Sequence, residues 1–109
     1  MKVGSLFAGI GGIDLGFKQA GFDILWANEI DRNACKTYKL NFPETTLFEG
    51  DIRKLDVSLL SKVDIITAGF PCQPFSICGN QKGFSDNRGN LFFDIMRITD
   101  AVKPQIIFL

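Results

Sequence analysis

A chain of 109 residues is long enough for one small domain, which buries a little under about two thirds of the surface its unfolded form exposes. Hydrophobic residues make up 46% and charged residues 22%, an ordinary globular balance that argues against disorder. Lysine plus arginine and aspartate plus glutamate number 12 each, so the net charge is zero and the broad positive field of an unaided nucleic-acid binder is missing.

The three cysteines are accompanied by no histidine and form no paired Cys-x-x-Cys knuckle, which excludes the common closed zinc sites. Their odd number and irregular spacing fit reduced thiols and a cytoplasmic protein. Lys2 precedes an apolar patch, but Gly11, Gly12 and Asp14 interrupt it before a signal-peptide core is complete. No apolar run approaches the length of a membrane span, so neither a membrane nor a metal is expected as a partner. Eleven phenylalanines stand against one tyrosine and one tryptophan, and most of these rings are expected in the core.

Val3 to Phe7 reads as a strand leading into Ala8-Gly9-Ile10-Gly11-Gly12, after which Ile13, Gly16, Phe17 and Ala20 recur at helical spacing. This is strand, glycine loop and helix, with amides at the helix start able to face a ligand. The dinucleotide fingerprint would want glycine where Asp14 stands, so a nicotinamide reading matches in part, and a purely structural turn stays open. Asp23 to Ala27 gives a second strand ending in Asn28-Glu29-Ile30-Asp31. Glu29 falls twenty residues after Gly9, the distance at which an acid on the neighbouring strand tip accepts hydrogen bonds from a ribose. Asp31 can cap the helix through Ala34 and Tyr38, in which Cys35 is packing, and Asn41 and Pro43 end it.

Thr46 to Glu49 reads as a third strand ending in Gly50-Asp51-Ile52, whose acid could bind the amine of an adenine ring or serve as a solvated turn residue. A short helix over Asp56–Ser61 connects to the fourth strand, Val63 to Ala68, a β-branched apolar run with both faces covered. That strand must stop at Pro71. With a second proline at Pro74, Cys72 and Gln73 sit between two residues of fixed φ and cannot be absorbed into a helix. A cysteine is most often a small buried hydrophobe, but these flanks favour a presented thiol in the crevice beyond the strand tips, which points to a nucleophile. A long polar loop follows to Asn90, with Lys82 and Arg88 as its cations. Leu91, Phe92, Ile95, Met96, Ile98 and Val102 then supply an amphipathic helix, ended by Pro104, and Gln105 to Leu109 begins a fifth strand. The expected fold is α/β, with a mainly parallel, Rossmann-like sheet.

Phe7-Ala8-Gly9-Ile10-Gly11-Gly12, Gly69-Phe70-Pro71-Cys72-Gln73-Pro74-Phe75-Ser76 and the run from Gly83-Phe84 to Leu91-Phe92-Phe93-Asp94 together resemble the cytosine-5 DNA methyltransferase family. The resemblance covers the whole chain, residues 1–109, and corresponds to the amino-terminal part of that family's catalytic domain. It implies the sheet of S-adenosyl-L-methionine-dependent methyltransferases, interrupted after the fifth strand. It also implies that S-adenosyl-L-methionine lies against Phe7, Ala8, Gly9, Ile10 and Gly12, with Glu29 on the ribose beside Asn28. Ile30 would flank the adenine, Asp51 and Ile52 would reach its amine and ring, and Pro71 and Leu91 would line the same pocket. Cys72 would be the nucleophile, while Gln73, Ser76 and Arg88 would contact double-stranded DNA around a flipped cytosine. Cys78 and Asn80 stand where members carry serine or lysine, which leaves DNA contacts there open.

The implied reaction is methyl transfer to carbon 5 of cytosine through a covalent Cys72 adduct, in a restriction–modification setting. The family's ring-holding glutamate, target-recognition region and carboxyl-terminal helix do not occur in these residues, which are therefore expected to be inactive alone. They read as a fragment, a truncated gene product or one part of a split enzyme, a complementary carboxyl-terminal chain being the expected partner in the last case. An inert nucleotide-binding module is the alternative, and a nicotinamide oxidoreductase is disfavoured by Asp14 and by the Pro-Cys-Gln-Pro turn.

Overall fold

The structure, a computed structural model, describes residues 1–69 and 87–109. Five strands form one parallel sheet in the order β3-β2-β1-β4-β5: β1 Lys2–Leu6, β2 Asp23–Glu29, β3 Thr46–Glu49, β4 Ile65–Ala68 and β5 Ile106–Phe108. Helices α1 Gly12–Gln19, α2 Arg32–Asn41 and α3 Asn87–Val102 join them. The chain steps outward from β1 to β3 and then returns to β4 on the other side of β1. This reversal opens a crevice at the carboxyl ends of β1 and β4, where open α/β sheets bind ligands. Leu6 pairs with Ala68 at that end, so the glycine loop and the segment carrying Cys72 leave neighbouring strand tips.

All four β4 residues are buried, in accord with the covered strand read from its sequence. The larger core, which includes Leu6, Trp26, Ile66, Ile95 and Ile98, joins the sheet to α3. Burying each such side chain stabilises the fold by roughly 1.5–3 kcal/mol. A register shift between Val3 and Gly4 in the β1–β2 ladder lets the Trp26 ring lie across β1. A Cβ at Gly4 would stand 2.3 Å from that ring, so this close approach requires glycine. The indole Nε1 donates to the Ser61 carbonyl at 2.8 Å.

On the opposite face, Asp14 is 1% exposed and links three elements. Its carboxylate accepts a hydrogen bond from Ser5 Oγ of β1 at 2.8 Å and another from the Tyr38 hydroxyl of α2. Burial pushes the Asp14 carboxyl up, against the opposing hydrogen bonds of Tyr38 and Ser5. Burial and the Asp14 carboxylate likewise push the Tyr38 phenol up. The residue that breaks the dinucleotide pattern is thus a buried structural tie.

Several expectations need correction. Of the described phenylalanines Phe42 is buried, five are half-buried, and Phe93 and Phe108 are exposed. Phe17 packs against Phe22 and Phe108 at ring-centroid distances of 5.4 and 5.5 Å, beside an open apolar groove between α1 and β5. The helix expected over Asp56–Ser61 is replaced by a single 3₁₀ turn, Val57–Leu59, which follows another at Ile52–Lys54. The carboxylates of Asp51 and Asp56 each cap an amide two residues on at 2.9 Å, so the second aspartate restarts the turn before an α-helix can propagate. β2 continues to Glu29, past the expected end at Ala27, and α3 begins four residues before Leu91.

Candidate active site

The glycine loop turns by means of left-handed backbone at Phe7 (φ 54°), Gly9 (φ 61°) and Gly11 (φ 97°). Phe7 is the unusual member, because its Cβ makes this region unfavourable. At Gly11 a Cβ would meet the Phe42 ring at 2.2 Å, so helix α1 and the α2 end close in only around glycine. At Gly9 and Gly12 a Cβ would meet nothing within 4 Å among the described residues, which leaves open space over the loop. Gly11 stands at the N-cap of α1, and among the described residues no side chain caps the helix from that position.

Glu29 closes the loop from the neighbouring strand. Its carboxylate accepts from Gly9 N and from Asp31 N, each at 2.8 Å, bridging the glycine turn and the start of α2. Asp31 accepts from Ala34 N at 2.9 Å and so caps α2, as read from the sequence. Cys35 is buried, and burial followed by the Glu49 carboxylate pushes its thiol up, which makes it inert packing.

Asn28 is 4% exposed and fixes the next strand tip. Its Nδ2 donates to the carbonyls of Phe48 (2.7 Å) and Gly50 (3.1 Å), which sets where β3 releases Asp51. Asn28→Asp removes both donors and places a charge against two carbonyls. It should lower stability by roughly 2–4 kcal/mol, more than Asn28→Ala at about 1–3 kcal/mol, in urea titrations followed by Trp26 fluorescence.

A cavity of about 70 Å³ lies where these tips meet, lined by Phe7, Asn28, Glu29, Ile30, Gly50, Asp51, Ile52, Arg53 and Leu91. The Asp51 carboxylate receives Arg53 Nε at 3.1 Å from each oxygen and Arg53 Nη2 at 2.8 Å. Hydrogen bonds from the Arg53 side chain and backbone hold Asp51 below the usual carboxylate range. From α3, Arg97 donates to the carbonyls of Ile52 (2.9 Å) and Leu55 (3.2 Å), anchoring the wall that carries Ile52. An adjoining cavity of about 490 Å³ shares Asn28, Gly50 and Asp51 but opens along the β3 edge.

Seven of the residues singled out from the sequence therefore converge on one cavity: Phe7, Asn28, Glu29, Ile30, Asp51, Ile52 and Leu91. Ala8, Gly9, Ile10 and Gly12 form the loop beside it, with Ile10 59% exposed. Pro71, Cys72, Gln73 and Ser76 lie outside the described residues, as does the side chain of Arg88. Sequence reasoning missed Gly50, Arg53 and Arg97. The Asp-x-Arg spacing after the third strand was the available signal for Arg53, whereas no local spacing marks Arg97.

The model of the family described as C-5 cytosine-specific DNA methylase matches residues 1–109. The chain is 49% identical over 111 aligned residues to the Type II methyltransferase M.Bsp6I of Bacillus sp. (strain RFL6), covering all of this chain and 35% of that protein. It is 53% identical over 110 residues to the Type II methyltransferase M.NlaX of Neisseria lactamica, covering 99% of this chain and 35% of that protein. Among solved structures, the Dnmt2 methyltransferase of S. pombe superposes with a TM-score of 0.73 at 29% identity, over 98% of this chain and 35% of that one. A Spodoptera frugiperda DNMT2 mutant does so with a TM-score of 0.68 at 36% identity, over 91% and 31% respectively. The chain thus spans about a third of the length of these relatives, and by the match over its whole extent it belongs to the C-5 cytosine-specific DNA methylase family.

Proposed function

We propose that this chain is the cofactor-holding and nucleophile-bearing part of an enzyme that methylates carbon 5 of cytosine in double-stranded DNA, in a restriction–modification setting. The observation that carries the reading is the convergence of Phe7 at the start of the glycine loop, Glu29 and the Asp51 turn on one cavity at the tips of β1, β2 and β3, with β1 paired to β4, the strand that leads to Cys72. The residues present fit S-adenosyl-L-methionine. Open space over Gly9 and Gly12 admits a ligand against the backbone, Glu29 offers acceptors for ribose hydroxyls, and Ile30, Ile52 and Leu91 give apolar walls for a purine. When bound, the cofactor supplies an electrophilic methyl group on its sulfonium.

Cys72 acts on the base. Carbon 5 of cytosine is a poor nucleophile, so the thiolate adds at carbon 6 and the ring becomes an enamine that is nucleophilic at carbon 5. Once carbon 5 has taken the methyl group, loss of its proton and elimination of the thiolate restore the aromatic ring. A free thiol of pKa about 8.5 is a few per cent ionised at pH 7, so its surroundings must raise the thiolate fraction. Gln73, Ser76 and Arg88 hold the DNA around a base flipped from the stack, at a cost of a few kcal/mol. With zero net charge here, most phosphate contacts come from the rest of a family-length protein, as a further segment or a separate chain.

Calorimetric titration with S-adenosylhomocysteine tests the cofactor site. Binding by this chain is expected, and Glu29→Ala should weaken it tenfold or more, the equivalent of losing charge-assisted hydrogen bonds of about 1.5–3 kcal/mol. Absence of binding by the parent chain, or a preference for a nicotinamide dinucleotide, would sink the reading.

A further inference from the structure

Arg53 lies in the wall of the cavity, and nothing in the reading above uses it. Its guanidinium is half-exposed, yet it grips Asp51 with a two-nitrogen fork instead of extending into water. Such bidentate pairs fix the direction of a carboxylate as well as its charge. The Arg53 backbone amide also donates to Asp51 Oδ1 at 2.9 Å. Three N–H groups thus occupy the carboxylate: the amide, Nε and Nη2. An ionised carboxylate offers about four acceptor sites, so roughly one remains. The charge that Arg53 stabilises keeps Asp51 an acceptor and never a donor.

We propose that Arg53 is a positioning residue for the adenine end of the cofactor, holding the Asp51 carboxylate with its remaining acceptor site available to the purine's exocyclic amine. The inference rests on the cofactor reading above and deepens it. A carboxylate that can only accept favours a 6-amino purine and rejects a 6-oxo purine, whose oxygen presents lone pairs to it. Arg53 acts through Asp51 and need not touch the ligand. Lysine would not replace it, because an ammonium group is a single point charge without a fork.

The test is a pair of titrations of this chain, with S-adenosylhomocysteine and with its 6-oxo counterpart, S-inosylhomocysteine. The parent chain should favour the adenosyl ligand by roughly tenfold or more, the scale of one charge-assisted hydrogen bond. In Arg53→Ala the preference should fall to within about twofold, through loss of adenosyl affinity alone, with Arg53→Lys close to it. Asp51→Ala should erase the same preference. Arg53→Ala retains the backbone amide that Asp51 caps, and an unchanged thermal midpoint would show that the fold is intact. Equal weakening of both ligands, an undiminished preference, or tighter adenosyl binding in Arg53→Ala would overturn the inference and leave the cofactor reading standing. A parent chain that binds neither ligand would overturn both.

Discussion

Replacing Cys72 with serine, in this chain joined to the part of the Neisseria lactamica relative that lies outside the match, is expected to abolish methyl transfer. The loss should be on the order of 10⁴-fold or more, the scale on which removing a catalytic nucleophile acts. A serine hydroxyl is scarcely ionised at neutral pH and is a poor nucleophile toward carbon 6, so the ring is not activated. Cofactor affinity should stay within about twofold of the parent, because the adenosyl cavity is built from the tips of β1, β2 and β3 and from α3. Tritiated-methyl incorporation measures the first quantity and calorimetry the second. Near-parental turnover in Cys72→Ser would remove the nucleophile assignment.

Asp14→Leu should lower stability by roughly 3–5 kcal/mol, because it strands the hydroxyls of Ser5 and Tyr38 in a dry interior at about 1–3 kcal/mol each and adds bulk to a packed site. That is a large share of the roughly 5–15 kcal/mol available to a domain of this size. Asp14→Asn should cost less, since a carboxamide oxygen still accepts from the Tyr38 hydroxyl. The two carboxyl forms also differ with pH. The folded Asp14 carboxyl lies above its ordinary value of 3.8, so ionising it opposes folding. This penalty is fully present above the raised folded value and is relieved as pH falls from there toward 3.8. Relative to the parent, Asp14→Asn should therefore gain less stability across that window. Urea unfolding at several pH values checks both the order and the slope.

The sheet and its order of elements were legible because each strand is a short stretch set off by turn signals, β-branched in β4 and β5, and because the Gly9–Glu29 spacing matches neighbouring parallel strands. The cavity was legible for the same reason: residues just past the strand tips must gather at one edge of a parallel sheet. What the sequence concealed depends on partners distant in the chain. Asp14 looked like a missing glycine until Ser5 and Tyr38 came to its carboxylate. Arg97 reaches carbonyls 42 and 45 residues away, which no local spacing encodes. The surplus of phenylalanine misled, since rings around an open groove and at a crevice rim stay partly exposed.

Nucleoside mass spectrometry of DNA treated with the joined protein and S-adenosyl-L-methionine tests the central claim most directly. The account predicts 5-methylcytosine as the sole methylated nucleoside, absent when Cys72 is serine. Methylation of adenine, methylation on the exocyclic nitrogen of cytosine, or 5-methylcytosine formed equally well without the Cys72 thiol would contradict it.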